Sequence, residues 1–217
     1  VGNTDYSTEV MTKWTTLAPG QSVNYVESHD NMTLVDKITA SVKDAKPADI
    51  AQLSRLASSI PFLAQGMPFM QAGQEFLRSK GGDPNSYKSS DLVNSLKWST
   101  QSTNASTVKY FKGLIALRKA HPAFRMETTD QVRKNLKFLT SPEGTIAYSI
   151  NGSAVKDSAA TLVVVHNANT TKQTITLPKS GNWSVLVESG IAGTSVIRKL
   201  TGSSVVVEAR STLVITQ

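Results

Sequence analysis

Cysteine is absent from the 217 residues of the chain, and histidine occurs only 3 times. Without thiols the chain has no disulfide framework, no thiol nucleophile and no thiolate metal ligand. The scattered histidines form no ligand cluster in the sequence, so we expect no transition-metal site and no cofactor in this chain. Cysteine content leaves the compartment of the protein open.

Long hydrophobic runs are also missing, because no apolar stretch approaches the roughly 20 residues that cross a bilayer. We therefore expect no membrane partner. The first residues do not resemble a signal peptide, so an export signal is expected to lie upstream if the protein is secreted.

Charge of one sign is in modest excess, with 23 lysines and arginines against 16 acidic residues. The basic residues are scattered along the chain and are not interleaved with aromatics as they are in nucleic-acid-binding modules. The formal charge of +7 therefore indicates a solvated basic surface, and we expect no nucleic-acid partner.

The first part of the chain alternates strand and helix patterns. Short apolar runs at 22–27 and 67–72 predict strands, and helical periodicity predicts helices from Pro47 and from about Ser106. Pro61 is expected to kink the first of these helices or end it early. Parallel strands joined by helices form βαβ units, and two strands do not complete a parallel sheet, so the sheet must be completed elsewhere.

The pattern changes at His121-Pro122-Ala123-Phe124, after which nearly every segment predicts a strand. A helical turn is predicted at 129–135. Period-two runs separated by turn residues then predict seven strands, at 136–139, 145–150, 162–166, 174–177, 183–187, 205–207 and 212–216. Their spacing is typical of an antiparallel β-sandwich of about ninety residues. In this region His166 and Trp183 are expected to be structural.

Polar residues follow the first predicted strand directly, in the order Ser28-His29-Asp30-Asn31. The mouth of a strand is where α/β folds place chemistry. An imidazole beside a carboxylate can bind sugar hydroxyls, and the negative charge favours an oxocarbenium-like transition state. The alternative is that Asp30 or Asn31 caps the next helix and that His29 is an ordinary surface residue.

The segment 26–34, followed by Asp36-Lys37, resembles the strand-seven motif of the α-amylase superfamily in the form found in type I pullulanases. The resemblance implies that His29 and Asp30 line the subsite for the glucose whose bond is cut, with Asn31 beside them. It assigns Asp30 as transition-state stabiliser, neither nucleophile nor proton donor, and leaves Glu27 as structural.

A second segment, 66–80 running on to Asn85-Ser86-Tyr87, resembles strand eight and the following loop of the same family. Arg78, Asn85 and Tyr87 offer donors and an aromatic face suited to a carbohydrate groove, and Asp83 is a weaker candidate. The alternative for all four is ordinary loop packing. For Asp83 this alternative is specific, because Asp-Pro in a glycine-rich loop is also typical of a turn.

A third segment, 110–124, resembles the eighth barrel helix and its exit. At 217 residues the chain is too short for a complete barrel, which needs about 250. The expected fold is therefore α/β plus all-β. Residues 1–124 supply the last two βα units of a (β/α)₈ TIM barrel, strands seven and eight with their helices, and residues 125–217 form a C-terminal β-sandwich domain.

The resemblance implies a secreted-type debranching enzyme that hydrolyses α-1,6-glucosidic linkages in pullulan, amylopectin and limit dextrins with retention. Retaining glycosidases need a nucleophile and an acid/base carboxylate about 5 Å apart, and no segment here matches either. The upstream part of the same enzyme is thus the expected partner, with calcium possible there, and the chain alone is expected to be inactive. Extracellular or cell-surface localisation follows from the resemblance.

Two other functions stay open from the sequence. One is an amylopullulanase or another α-1,4-acting enzyme of the amylase family. The other is a non-catalytic glucan-binding module built on the β-domain.

Overall fold

The computed structural model describes residues 16–217. Over that range six helices form, α1 to α6 in chain order: Leu34–Ser41, Pro47–Leu63, Asp91–Asn94, Thr100–Thr103, Ala105–Ala120 and Thr129–Asn135. Nine strands, β1 to β9, have the bounds Val23–Asn24, Met67–Pro68, Leu136–Phe138, Thr145–Asn151, Thr161–Asn167, Gln173–Glu188, Ile191–Ala192, Arg198–Val207 and Ser211–Thr216. None of these helices is both long and apolar enough to cross a membrane.

Strands β1 and β2 pair in parallel, with Val23 opposite Met67 and Asn24 opposite Pro68, and α1 and α2 connect them. Both strands are shorter than predicted. A strand is hydrogen-bonded only where a neighbour is present, and within residues 16–217 each of these two strands has only the other.

Helix α2 continues through Pro61 to Leu63, so the expectation that Pro61 ends the helix early is wrong, and a kink at Pro61 stays a prediction. A proline near the end of a helix removes only its own N–H from the ladder. The N–H of Ala64 still donates to the carbonyl of Ile60 at 2.9 Å, so the last turn closes.

The seven strands after α6 form one antiparallel hydrogen-bonded network in the order β3-β4-β5-β9-β6-β7, with β8 paired to β6. Helix α6 matches its prediction. The two strands predicted at 174–177 and 183–187 are a single strand, β6, with a register shift between Thr176 and Gly181. The intervening residues that indicated a turn instead form an irregularity within the strand.

Alternating side chains bury both faces of this sheet. One face packs against the helices, and its core joins the helical residues Leu63, Phe111 and Leu117 to the sheet residues Tyr148 and Ile150. The other face carries a second core, to which β6 and β8 also contribute side chains. That second core contains Ala147, Val163, Val165, Ile175, Leu177, Trp183, Val185, Val205, Val207, Leu213 and Ile215. The prediction that Trp183 and His166 are structural is confirmed, since both are buried.

Candidate active site

The loop between β1 and α1 carries His29, Asp30 and Asn31. Helix α1 is capped by Thr33, whose hydroxyl accepts the N–H of Asp36 at 3.2 Å. The alternative interpretation, in which Asp30 or Asn31 caps this helix, is therefore wrong, and neither side chain is used to start α1.

His29 and Asp30 form a contact pair at the exposed tip of the loop. The distance from His29 Nδ1 to Asp30 Oδ1 is 3.2 Å, and the two side chains are 86% and 74% exposed. Asn31 follows with a φ of 64°, in the left-handed region that asparagine tolerates better than most residues. This backbone turn separates the exposed pair from the helix start.

Glu27 is buried beneath the same loop and ties its beginning to its end. Its Oε2 accepts the N–H of Leu34, and its Oε1 has no partner among the described residues. Burial raises the pKa of Glu27, and the Leu34 N–H and the charges of Arg78 and Lys80 oppose that shift. The Glu27 side chain thus links the two ends of the loop, which is the structural role that the sequence predicted.

The loop after β2 is bonded directly to the loop after β1. Asp36 accepts the hydroxyl of Ser79 at 2.5 Å and the N–H of Lys80 at 2.8 Å. The buried Lys80 extends its ammonium to the carbonyl of His29, at 3.0 Å. Asp36, Ser79 and Lys80 were not among the predicted site residues, although each lies within or beside a segment that carries the family resemblance. Their proximity to those motifs was the available signal.

Arg78 is half-buried in the second loop and lines a cavity of about 310 Å³ together with Lys97 and Thr100. Its Nη2 donates to the carbonyl of Asn94, while its Nε has no partner among residues 16–217.

Asp83, Asn85 and Tyr87 follow in the same loop. Asp83 accepts the N–H of Asn85 at 2.8 Å and the hydroxyl of Ser89 at 2.6 Å, and these two bonds lower the pKa of Asp83. Tyr87 is exposed, with the Lys88 ammonium 5.3 Å from the centre of its ring. The turn chemistry foreseen for Asp83 is present.

The described contacts join four of the predicted site residues in two pairs, His29 with Asp30 and Asp83 with Asn85. Lys80 joins the two loops on which they lie. In the part of the chain that the structure describes, no three His, Asp or Glu side chains are grouped to hold a metal ion.

Comparison with known proteins gives one family repeatedly. Residues 132–190 match the family model described as the all-beta domain of pullulanase. The pullulanase of Bacillus subtilis (strain 168) is 39% identical over 161 residues, which are 72% of this chain and 22% of that protein. The solved pullulanase from Bacillus acidopullulyticus has a TM-score of 0.89 and 43% identity, covering 94% of this chain and 25% of its own. The type I pullulanase from Bacillus subtilis complexed with maltose has a TM-score of 0.86 and 36% identity, covering 92% and 28%.

These relatives define the class of protein as a glycoside hydrolase family. Within it, the chain belongs to the pullulanases and corresponds to the C-terminal part of such an enzyme, which confirms the resemblance drawn from the motifs. The chain spans about a quarter of the length of these three relatives, from 22% to 28%.

Proposed function

We propose that the complete enzyme hydrolyses α-1,6-glucosidic linkages in pullulan, amylopectin and limit dextrins with retention of configuration, and that this chain contributes Asp30 as the transition-state stabiliser. The observation that carries the proposal is the exposed His29–Asp30 pair, which follows a parallel strand on a loop held by buried contacts. An exposed pair on a fixed loop is available to a ligand.

The chemistry follows from charge. The Asp30 carboxylate accepts hydroxyls of the bound sugar, and its attraction for the ring grows as positive charge develops at the anomeric carbon. His29 donates to the same sugar. The nucleophile and the acid/base carboxylate, about 5 Å apart in a retaining enzyme, come from the upstream part of the protein. This chain alone is inactive.

Support for a barrel comes from the small parallel sheet. Val23, Tyr25, Met67 and Phe69 are between 46% and 56% exposed, although all four are apolar. Tyr25 and Phe69 contact edge to face at 6.0 Å. Parallel strands are normally covered on both faces, so this apolar surface favours completion by further strands of a (β/α)₈ barrel formed with residues 1–124.

The loop after β2 supplies the remaining glucan contacts in this proposal. The proposal assigns Asn31, Arg78, Asp83, Asn85 and Tyr87 to a groove beside Asp30, since exposed aromatic and amide groups on loops are suited to sugar faces and hydroxyls. Solved pullulanases have been complexed with maltose, maltotriose and maltotetraose, which supports an α-glucan as the ligand. The proposal assigns any calcium site to the upstream part and places the enzyme outside the cell or on its surface.

The test is Asp30→Asn in the complete enzyme, with the exposed Asp44→Asn as matched control. We expect the turnover number with pullulan to fall by at least about a hundredfold, equivalent to roughly 3 kcal/mol, while glucan binding and the melting temperature change little. His29→Ala should have a milder effect, because its contact is made in both ground and transition states. Near-normal turnover of Asp30→Asn would remove the proposed role.

Product analysis separates the remaining alternatives. A pullulanase releases maltotriose-sized products from pullulan and leaves amylose intact, whereas dual or α-1,4 activity shortens amylose. Glucan binding by residues 125–217 alone, with no hydrolysis by the complete protein, would favour the non-catalytic module.

A further inference from the structure

A second cavity, of about 420 Å³, lies where helices α2 and α5 meet the large sheet. Helix α2 contributes Gln52 and Arg55 to its lining, and α5 contributes Tyr110. The β6–β7 turn and the segment leading into β9 close the other side. None of the residues assigned to the candidate active site lines this cavity.

Arg55 is the unusual group in the cavity. Its guanidinium carries five N–H donors, and the described contacts use one of them, from Nη1 to the hydroxyl of Thr107 at 3.1 Å. Within residues 16–217 no carboxylate lies within 4.0 Å of Arg55. Burial lowers the pKa of Arg55, as expected for a partly desolvated charge that lacks a counter-charge.

The turn between β6 and β7 leaves room for this guanidinium. Its two central residues, Ser189 and Gly190, have positive φ angles of 49° and 81°. A Cβ added at Gly190 would lie 3.0 Å from Nε of Arg55, closer than an ordinary contact. Glycine at this position therefore satisfies both the turn and the close approach of the charged side chain.

The other charged groups of the cavity are already paired. Arg210 contacts Asp49 at 3.4 Å, and Glu208 contacts Lys172 at 2.8 Å. Tyr110 carries no charge at physiological pH, and burial raises its pKa further, to about 12. The uncompensated charge of the cavity is thus the positive charge of Arg55.

We propose that this cavity is a binding site for a small oxyanion, with the N–H groups of Arg55 that no described contact uses as the principal donors. A planar guanidinium fork matches the oxygens of a phosphate or carboxylate group, and such charge-assisted bonds are strongest where water is partly excluded. The site is independent of the proposed hydrolase activity, because it shares no residue with the candidate active site.

The test uses isothermal titration of the complete enzyme that contains this chain with inorganic phosphate at pH 7, against potassium chloride of matched ionic strength. We expect saturable binding of phosphate by the unaltered enzyme and by Arg133→Met, which removes an exposed arginine of α6 outside the cavity. Arg55→Met should weaken binding at least tenfold, and Arg55→Lys should restore part of it.

A second variant keeps the test decisive if Arg55→Met does not fold by circular dichroism. Gln52→Glu places a carboxylate one turn before Arg55 on α2, where it competes with the anion for the guanidinium, so binding should again fall at least tenfold. Absence of saturable phosphate binding to the unaltered enzyme would overturn the proposal. So would equal binding by the unaltered enzyme and either cavity variant.

Discussion

Among single residues, His166 is the buried titratable group with the clearest effect on stability. It lies on β5 beneath the helices, with Nδ1 2.9 Å from the hydroxyl of Thr212 and 3.3 Å from that of Ser59. Burial lowers the pKa of His166 to about 4, so the neutral imidazole is the folded form. Both hydroxyls are uncharged and contact the same ring nitrogen, so no carboxylate opposes the effect of burial.

A lowered histidine pKa makes the folded state less stable in acid. Between pH 6.5 and pH 4 the unfolded chain binds a proton that the folded chain does not, so stability falls as the pH drops through this window. From pH 7 to pH 5 this linkage costs about 2 kcal/mol for a shift to about 4.

We therefore predict that the free energy of unfolding in urea falls between pH 7 and pH 5 by about 2 kcal/mol more for the unaltered chain than for His166→Gln. The exposed His29→Gln should keep the loss of the unaltered chain. The absolute stability of His166→Gln is expected to be lower at both pH values, so the difference between them is the readout. An unchanged difference would mean that His166 does not carry the linkage.

At the scale of elements, the candidate site depends on how two loops are held together. Asp36 on α1 and Lys80 after β2 are 44 positions apart, and the Asp36 carboxylate accepts both the Lys80 N–H and the Ser79 hydroxyl. The Lys80 ammonium then fixes the carbonyl of His29. The exposed pair is thus positioned by the Lys80 ammonium, which holds its backbone.

Replacing Lys80 by methionine in the complete enzyme should misplace the His29–Asp30 loop. We expect the turnover number to fall about 10- to 100-fold with a smaller change in KM, since a displacement on the order of 1 Å is costly for catalysis. Lys80→Arg should recover part of the turnover, and Lys109→Met, on the exposed side of α5, should change neither constant. A lowered melting temperature with normal turnover would assign Lys80 to stability alone.

The same elements show what periodicity could predict. Helix α6 and most strands of the large sheet were predicted closely because local patterns determine them. Strand β6 was divided in two because glycine and proline residues signal an irregularity in a strand and a turn in the same way. His29 and Asp30 were proposed from a local motif. Lys80 was missed because its role exists only through a contact between separate loops.

At the scale of the whole molecule, the helices and the large sheet share one core. Leu114 and Leu117 of α5 are fully buried in the cluster that also contains Ile150, Leu162 and Val214 of the sheet. Gly113 lets α5 approach β7 closely, because a Cβ there would lie 2.0 Å from the carbonyl of Ala192. Sequence patterns identify the apolar faces, but they do not tell which faces meet. The boundary proposed between residues 124 and 125 therefore crosses a continuous core.

A shared core predicts that both parts of the chain unfold together. Trp98 reports on the helical part, where it contacts Phe76, and Trp183 reports on the core of the sheet. Single-tryptophan variants keep one or the other and replace the remaining tryptophans, including Trp14, by phenylalanine. Within each variant the fluorescence midpoint in urea should coincide with the midpoint followed by far-UV circular dichroism.

Leu117→Ala tests the coupling itself. Removing this buried side chain should lower the free energy of unfolding by about 2–5 kcal/mol and shift both fluorescence midpoints equally, although Leu117 belongs to neither tryptophan's immediate surroundings. The exposed Lys119→Ala on the same helix should shift neither. If the Trp183 midpoint stayed in place while the Trp98 midpoint fell, the sheet would be an independent folding unit, and the packing of α5 on it would be a contact between separate domains.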